Sequence, residues 1–317
     1  MLLIPVSYLK LEFYFLLLGK VMKGILLSIT ASITFGALYF YSQLFHGVDA
    51  QQVFAWRMIM TLPFLTLFMF WMKDTILIKR IFIQIKQNPA FIFPLILSSF
   101  LSCSQLWLFL WGPINGRGLQ VSLGYFLLPL TMVVLGSLVY KEKLSILQWL
   151  STFFAASGIA IGLFNMGGVY WETIYIALGY PLYFVFRRYL KTDHLGGFWW
   201  DIALSLPIAL GLIIYYFDWA SLTTHYSSIA LFFLITAGLG FLSTLGLGSY
   251  MLASRLLPFA LFGLLSYLEP ILLAVASFCL GERIPQHNMP IYIGIWLAML
   301  LLALDSTLTY FKQKKSR

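Results

Sequence analysis

Runs of about 20 apolar residues follow one another along this chain, and no other feature constrains its fold as strongly. A helix needs about that length to cross the hydrocarbon core of a bilayer. The runs fall at residues 24–45, 53–72, 90–111, 118–140, 146–164, 169–186, 198–217, 228–252, 256–280 and 289–308, ten in all. The first, third, fourth, fifth and eighth carry no formal charge. Of 317 residues, 61% are hydrophobic and 10% charged, against about 25% charged in ordinary soluble domains. No soluble fold of this size hides so much apolar surface, so lipid has to be the solvent. Backbone polar groups in lipid are satisfied within the segment that carries them. The expected fold class is therefore all-α: a polytopic membrane protein of ten transmembrane helices.

The net charge of +9 does not point to nucleic acid, because the basic residues sit in short connections between apolar runs. There they set topology, since cytoplasmic loops collect Lys and Arg. With the N-terminus in the cytoplasm, 17 of the 20 Lys and Arg lie in cytoplasmic segments, Arg117 and Arg283 lie outside, and Arg57 lies within a run. Both termini are expected to be cytoplasmic and the membrane to be a bacterial inner membrane. Residues 1–21 read either as an extension upstream of the natural start, because Met22-Lys23-Gly24 opens the first clean run, or as an interfacial segment. They lack the cleavage site of a signal peptide. The last residues, 311–317, form a basic tail.

The chain repeats itself. Residues 36–63 slide onto 180–207 at an offset of 144: Tyr39-Phe40 falls on Tyr183-Phe184, Asp49 on Asp193, Leu62-Pro63 on Leu206-Pro207, and Arg57 on Asp201. Pro129 and Glu142 likewise resemble Pro270 and Glu282. Two repeats, 22–165 and 166–310, would each hold five helices. An odd number turns the second repeat upside down, an arrangement common in transporters, with the substrate site between the halves near the midplane.

Several stretches carry a family resemblance. Trp107-Leu108-Phe109-Leu110-Trp111-Gly112, Asn115-Gly116, Ser122-Leu123-Gly124-Tyr125-Phe126 with Pro129, Lys141-Glu142-Lys143-Leu144-Ser145 and Gln148-Trp149 resemble the RarD branch of the EamA-type drug/metabolite transporters. Ala55-Trp56-Arg57, Tyr267-Leu268-Glu269-Pro270 and Gly281-Glu282 fit the same pattern. The resemblance implies a ten-helix inverted-repeat exporter of a small organic solute, such as an amino acid or an amphipathic drug-like compound. The chain departs from the family pattern at Trp56, Ser266 and Glu269, where a His, a Gln and a small residue are usual.

Ionisable groups inside lipid cost about 2.5–3.5 kcal/mol each at a helix centre, so they are candidates for function. Glu269 sits mid-run and suits proton coupling or an amine ligand. Arg57 offers a bidentate fork to a carboxylate; snorkelling, or pairing with Glu269 or Asp49, are its alternatives. Asp201 is a candidate too, or else a partner for Arg187 or Arg188. Tyr39, Trp56, Trp107, Tyr125, Tyr183 and Tyr267 offer flat apolar faces with a polar tip, and Gln105 and Ser122 offer hydrogen bonds. Pro129 and Pro270 are candidate bending points. Gly158-x-x-x-Gly162 and the glycines of the eighth run are expected to admit close helix packing.

Neither cysteine, Cys103 or Cys279, suggests a disulfide or a metal site, and the four histidines lack ligand spacing. No cofactor or metal is expected. No nucleotide-binding loop or hydrolase motif is present, which favours a secondary transporter over a pump or an enzyme. Expected partners are a small-molecule substrate, the lipid bilayer, protons in a coupled mechanism, and at most a second copy of the chain. The rival readings are a membrane-embedded lipid enzyme and a channel or sensor subunit.

Overall fold

The computed structural model describes residues 6–45, 48–115, 117–165, 170–216, 228–269, 271–272 and 289–315. Among them the regular structure is entirely helical: α1 (Val6–Ser42), α2 (Ala50–Trp71), α3 (Ile76–Gln87), α4 (Ile92–Ile114), α5 (Gly118–Tyr140), α6 (Ile146–Asn165), α7 (Trp171–Tyr189), α8 (Leu195–Tyr216), α9 (Ile229–Leu256), α10 (Phe259–Leu265) and α11 (Met289–Lys315). Two short 3₁₀ turns, Gln43–Phe45 and Pro89–Phe91, join them.

Among the described residues, seven stretches are long and apolar enough to cross a membrane: Gly19–Leu38, Ala50–Trp71, Pro89–Gly112, Leu123–Tyr140, Ile146–Asn165, Leu195–Tyr216 and Ile229–Leu256. The remaining expected runs differ for local reasons. The sixth coincides with α7, whose ends carry Glu172, Arg187 and Arg188. The ninth begins as α10, and residues 270 and 273–280 lie outside the described ones. The tenth is the shorter apolar part of α11, Met289–Asp305. The segment after α2, expected to be a plain loop, contains α3.

Local chemistry sets the helix ends. Asp49 caps α2 by accepting from the Gln51 N–H at 2.8 Å, and Ser228 caps α9 by accepting from the Leu231 N–H at 3.1 Å. Such caps satisfy donors that the first helical turn leaves without partners. Lys73, Lys141 and Lys191 follow the ends of α2, α5 and α7 in the left-handed region, with φ of 60°, 53° and 55°. A lysine there also complements the negative end of the helix dipole.

The helices pack as a bundle. α1 lies on α9 and α4 on α7; α2 also meets α9, and α4 also meets α8. α2 pairs with α8, α5 with α10 and α6 with α11, while α5 packs on α7 and α1 on α10. Glycines allow the tightest of these contacts. A Cβ at Gly158 would stand 2.6 Å from the Pro290 carbonyl and 3.1 Å from Gly294 Cα, so α6 and α11 touch backbone to backbone. A Cβ on Gly240 would meet the Met60 backbone at 2.5 Å where α9 crosses α2. Small residues at such crossings let dispersion forces act where no hydrophobic drive exists.

Candidate functional site

The bundle brings polar side chains from many helices to its centre. Arg57 lies in the third turn of α2 and is only 2% exposed. Its Nε donates to Ser243 Oγ on α9 at 2.8 Å, and its Nη1 has no hydrogen-bond partner among the described residues. At that burial the guanidinium does not snorkel, and Asp49 is committed to its cap. The charge of Arg57 interacts with Tyr180 of α7, Tyr125 of α5, Cys103 of α4 and Glu269 just beyond α10. Helices from both halves of the chain therefore contribute to one centre. The Tyr125 ring lies 6.3 Å from that of Tyr180 and edge-on to Phe109 at 5.7 Å. Tyr250 of α9 joins them, its hydroxyl 3.0 Å from Ser266 Oγ and within electrostatic reach of Glu269.

Gln105 is held beside this centre. Its Nε2 donates to the Tyr175 carbonyl at 3.0 Å, and its Oε1 has no hydrogen bond among the described residues. Gly179 makes this possible: a Cβ there would lie 1.7 Å from the Gln105 amide nitrogen. Ser104 Oγ and the Tyr175 hydroxyl share a 2.6 Å hydrogen bond on the same α4–α7 seam.

Asp201 and Tyr183 form a separate network. Asp201 Oδ2 accepts from the Tyr183 hydroxyl at 2.7 Å and from Arg187 Nη2 at 2.5 Å, and both charged side chains are fully buried. Arg187 also donates to Thr192 Oγ1 at 2.9 Å and to the Gly197 carbonyl. Ser99 Oγ donates to the Asp201 carbonyl at 2.7 Å. Cys103 links the two groups, its thiol 3.8 Å from that carbonyl and its electrostatics coupled to both Asp201 and Arg57. Arg187 already neutralises the Asp201 charge, so this network holds α4, α7 and α8 together.

The other candidates scatter. Tyr267 is fully buried in the apolar cluster with Phe126, Ala155, Ile159, Ile291 and Ile295, away from Arg57. Its hydroxyl has no hydrogen bond among the described residues. Trp107 packs against Trp111, ring centroids 5.3 Å apart, in a row that continues through Trp171 to Tyr175. Pro129 sits within α5, its carbonyl facing Gly263 of α10. The side chains of Tyr39 and Ser122, and Pro270 itself, lie outside the described residues.

Three groups escaped the sequence reading. Tyr180 and Tyr250 are ordinary aromatics in apolar runs, and only the helix faces they occupy bring them to the centre. Glu172 is a charge inside the sixth run, a signal of the same kind as Arg57. It is fully buried in the first turn of α7, 3.7 Å from Arg117 Nε. Glu142 stands between Lys141 and Lys143 in the sequence but reaches across to another helix. Its two oxygens accept from the Phe259 and Ala260 N–H groups at 2.7 and 2.8 Å, capping α10 across the α5–α10 contact. Beside it, Arg188 donates to the Ser254 carbonyl at 2.5 Å and lies over the rings of Tyr140 and Phe259 at 5.0 and 5.1 Å. These contacts join α5, α7, α9 and α10 around Leu257, whose carbonyl accepts from Arg188 Nη2 at 3.4 Å.

Known proteins resemble this chain over most of its length. Residues 22–164 match the EamA-like transporter family. An uncharacterized transporter of Pasteurella multocida is 39% identical over 280 residues, covering 88% of this chain and 94% of that protein. The chloramphenicol-sensitive protein RarD of Pseudomonas aeruginosa is 34% identical over 294 residues, covering 92% and 97%. The protein RarD of Escherichia coli is 27% identical over 299 residues, covering 92% and 98%. A solved crystal structure of a protein 14% identical in sequence superposes with a TM-score of 0.62, covering 90% of this chain and 96% of that one.

Proposed function

The chain belongs to the RarD branch of the EamA/DMT transporter superfamily, and we propose that it is a secondary transporter that exports a small organic anion or zwitterion from the bacterial cytoplasm. The observation that carries this reading is the state of Arg57: a buried guanidinium that, among the described residues, has a hydroxyl partner at Nε and no hydrogen bond at Nη1. A buried charge without an anion costs several kcal/mol. A substrate carboxylate supplies the missing partner in bidentate form. Tyr125 and Tyr180 flank the guanidinium and suit an aromatic or amphipathic body. Glu269 shares the same electrostatic centre; there it serves a substrate ammonium or carries a coupling proton. The amino-acid class meets all three demands.

The architecture behind this reading is two five-helix repeats of opposite orientation, the first α1, α2, α4, α5 and α6, the second α7 to α11. Exchanging the repeats in order carries every closely packed pair of these helices onto another such pair. α1 on α9 becomes α7 on α4, α2 on α9 becomes α8 on α4, and α5 on α7 becomes α10 on α1. That invariance supports a twofold relation through the midplane, with the Arg57 centre between the halves. The cap on α10 by Glu142 and the seat of Arg188 then close the cytoplasmic end. Alternating access opens that end as the other closes.

Metabolite profiling of medium and cytoplasm tests the reading. Bacterial cells overproducing the unaltered chain are compared with cells producing Arg57→Ala or Glu269→Gln. A carboxylate-bearing compound enriched outside only with the unaltered chain identifies the substrate. Glu269→Gln then separates the two roles of that residue, because a flux whose pH dependence survives the change rules out proton transfer through it. Export undiminished in Arg57→Ala would reject the anion site.

A further inference from the structure

The segment between α2 and α4 is built as more than a connection. α3 has 12 residues, too few to span a bilayer. One row of its side chains fastens it to α8. Gly196 leaves room for Leu77, which a Cβ would meet at 2.6 Å. Trp200 Nε1 donates to the Ile78 carbonyl at 3.3 Å, and the Trp200 ring stacks on Phe82 at 6.5 Å and 10°. Ile81 is buried in the same contact. The helix is therefore held in one rotation.

What that rotation leaves outside is unusual for a water-facing helix. At 100° per residue, Lys79 and Lys86 form one outer row, Ile76 and Ile83 the next, and Arg80 lies on the far flank. All five are exposed, the two isoleucines by 49% and 51%. Lys86 reaches over the Phe82 ring at 4.8 Å. None of the three cations takes part in a salt bridge among the described residues. Phe70 and Trp71, at the end of the α2 span, are exposed just before α3 begins. Trp at a span end marks the level of the headgroups. Apolar side chains bracketed by cations at that depth match a helix lying in the membrane surface.

We propose that α3 is a binding surface for anionic phospholipid: Ile76 and Ile83 enter the acyl boundary while Lys79, Arg80 and Lys86 hold headgroup phosphates. The charge of the row selects an anionic lipid over a zwitterionic one. Each basic residue at such a surface contributes about fivefold in affinity, so the three together contribute on the order of 100-fold.

The purified, delipidated full chain in neutral detergent is titrated with phosphatidylglycerol or phosphatidylcholine while thermal unfolding is followed. Phosphatidylglycerol should raise the unfolding temperature at a lower concentration than phosphatidylcholine does. In the Lys79→Gln, Arg80→Gln, Lys86→Gln triple variant the phosphatidylglycerol midpoint should rise by roughly 100-fold, with the phosphatidylcholine response unchanged. The Lys141→Gln, Lys143→Gln variant should keep the parent midpoint. An unmoved midpoint in the triple variant overturns the proposal. So does an equal loss in the Lys141/Lys143 variant, or an equal effect of soluble glycerol phosphate on the unaltered chain. If the triple variant does not fold, added salt decides on the unaltered chain: the phosphatidylglycerol midpoint must rise with ionic strength, and a constant midpoint overturns the assignment.

Discussion

Replacing Asp201 with Leu removes one half of a fully buried ion pair. Arg187 Nη2 loses its contact at 2.5 Å, and the Tyr183 hydroxyl loses its acceptor at 2.7 Å. Arg187 keeps Thr192 Oγ1 and the Gly197 carbonyl, but among the described residues it has no other salt-bridge partner. Orphaning a buried charge costs about 3–5 kcal/mol. The lost tyrosine hydrogen bond would cost about 1–3 kcal/mol alone, but both contacts end on the same oxygen, so the two figures do not add. A loss of about 4 kcal/mol is expected. The double variant Arg187→Met, Asp201→Leu carries neither member of the pair and should recover most of that loss, about 3 kcal/mol of it. Equilibrium unfolding in detergent micelles titrated with sodium dodecyl sulfate, followed by tryptophan fluorescence, measures each term. If Asp201→Leu is as stable as the parent, or the double variant as unstable as the single one, the ion pair does not hold α7 and α8 as described.

Gly158→Val should push α6 off α11, because its side chain would start 2.6 Å from the Pro290 carbonyl; a loss of about 1–3 kcal/mol is expected in the same assay, while Gly211→Ala, in open space, should cost nothing. His194 precedes α8 and its Nδ1 accepts from the Gly197 N–H at 3.2 Å. Burial, then the charges of Arg255 and Arg187, push its pKa from 6.5 down to about 4. The folded chain therefore refuses a proton that the unfolded chain accepts, so the contribution of His194 is intact above pH 6.5 and erodes as pH falls toward 4. Thermal unfolding across that window should show a fall that His194→Asn, which keeps a cap, flattens. Glu142→Ala leaves the Phe259 and Ala260 N–H groups without their acceptor. Thiol labelling of a cysteine placed at Leu257 from the cytoplasmic side should accelerate in that variant, and an unchanged rate would show that the cap does not close that end.

Much of this protein was determined by the sequence alone because the relevant forces are local. An apolar run of span length in lipid has no option but helix, and α2, α4, α5, α6, α8 and α9 lie within a few residues of the runs that announced them. The rarity of charge in lipid made Arg57, Asp201 and Glu269 conspicuous in the same way. Which side of each helix faces inward was not legible. Met58 and Leu67 are both apolar residues of α2, yet one is 0% and the other 64% exposed, because lipid and protein interior accept the same side chains. Without a polar face to give rotation away, the company each charge keeps was left to tertiary packing. Arg57 meets Ser243 across 186 residues, and Glu142 caps α10 across 117. Arg187 rather than a substrate answers Asp201. The packing of glycine-lined crossings decided those pairings, since only it sets the depth and rotation at which a polar side chain finds a partner in a solvent that offers none.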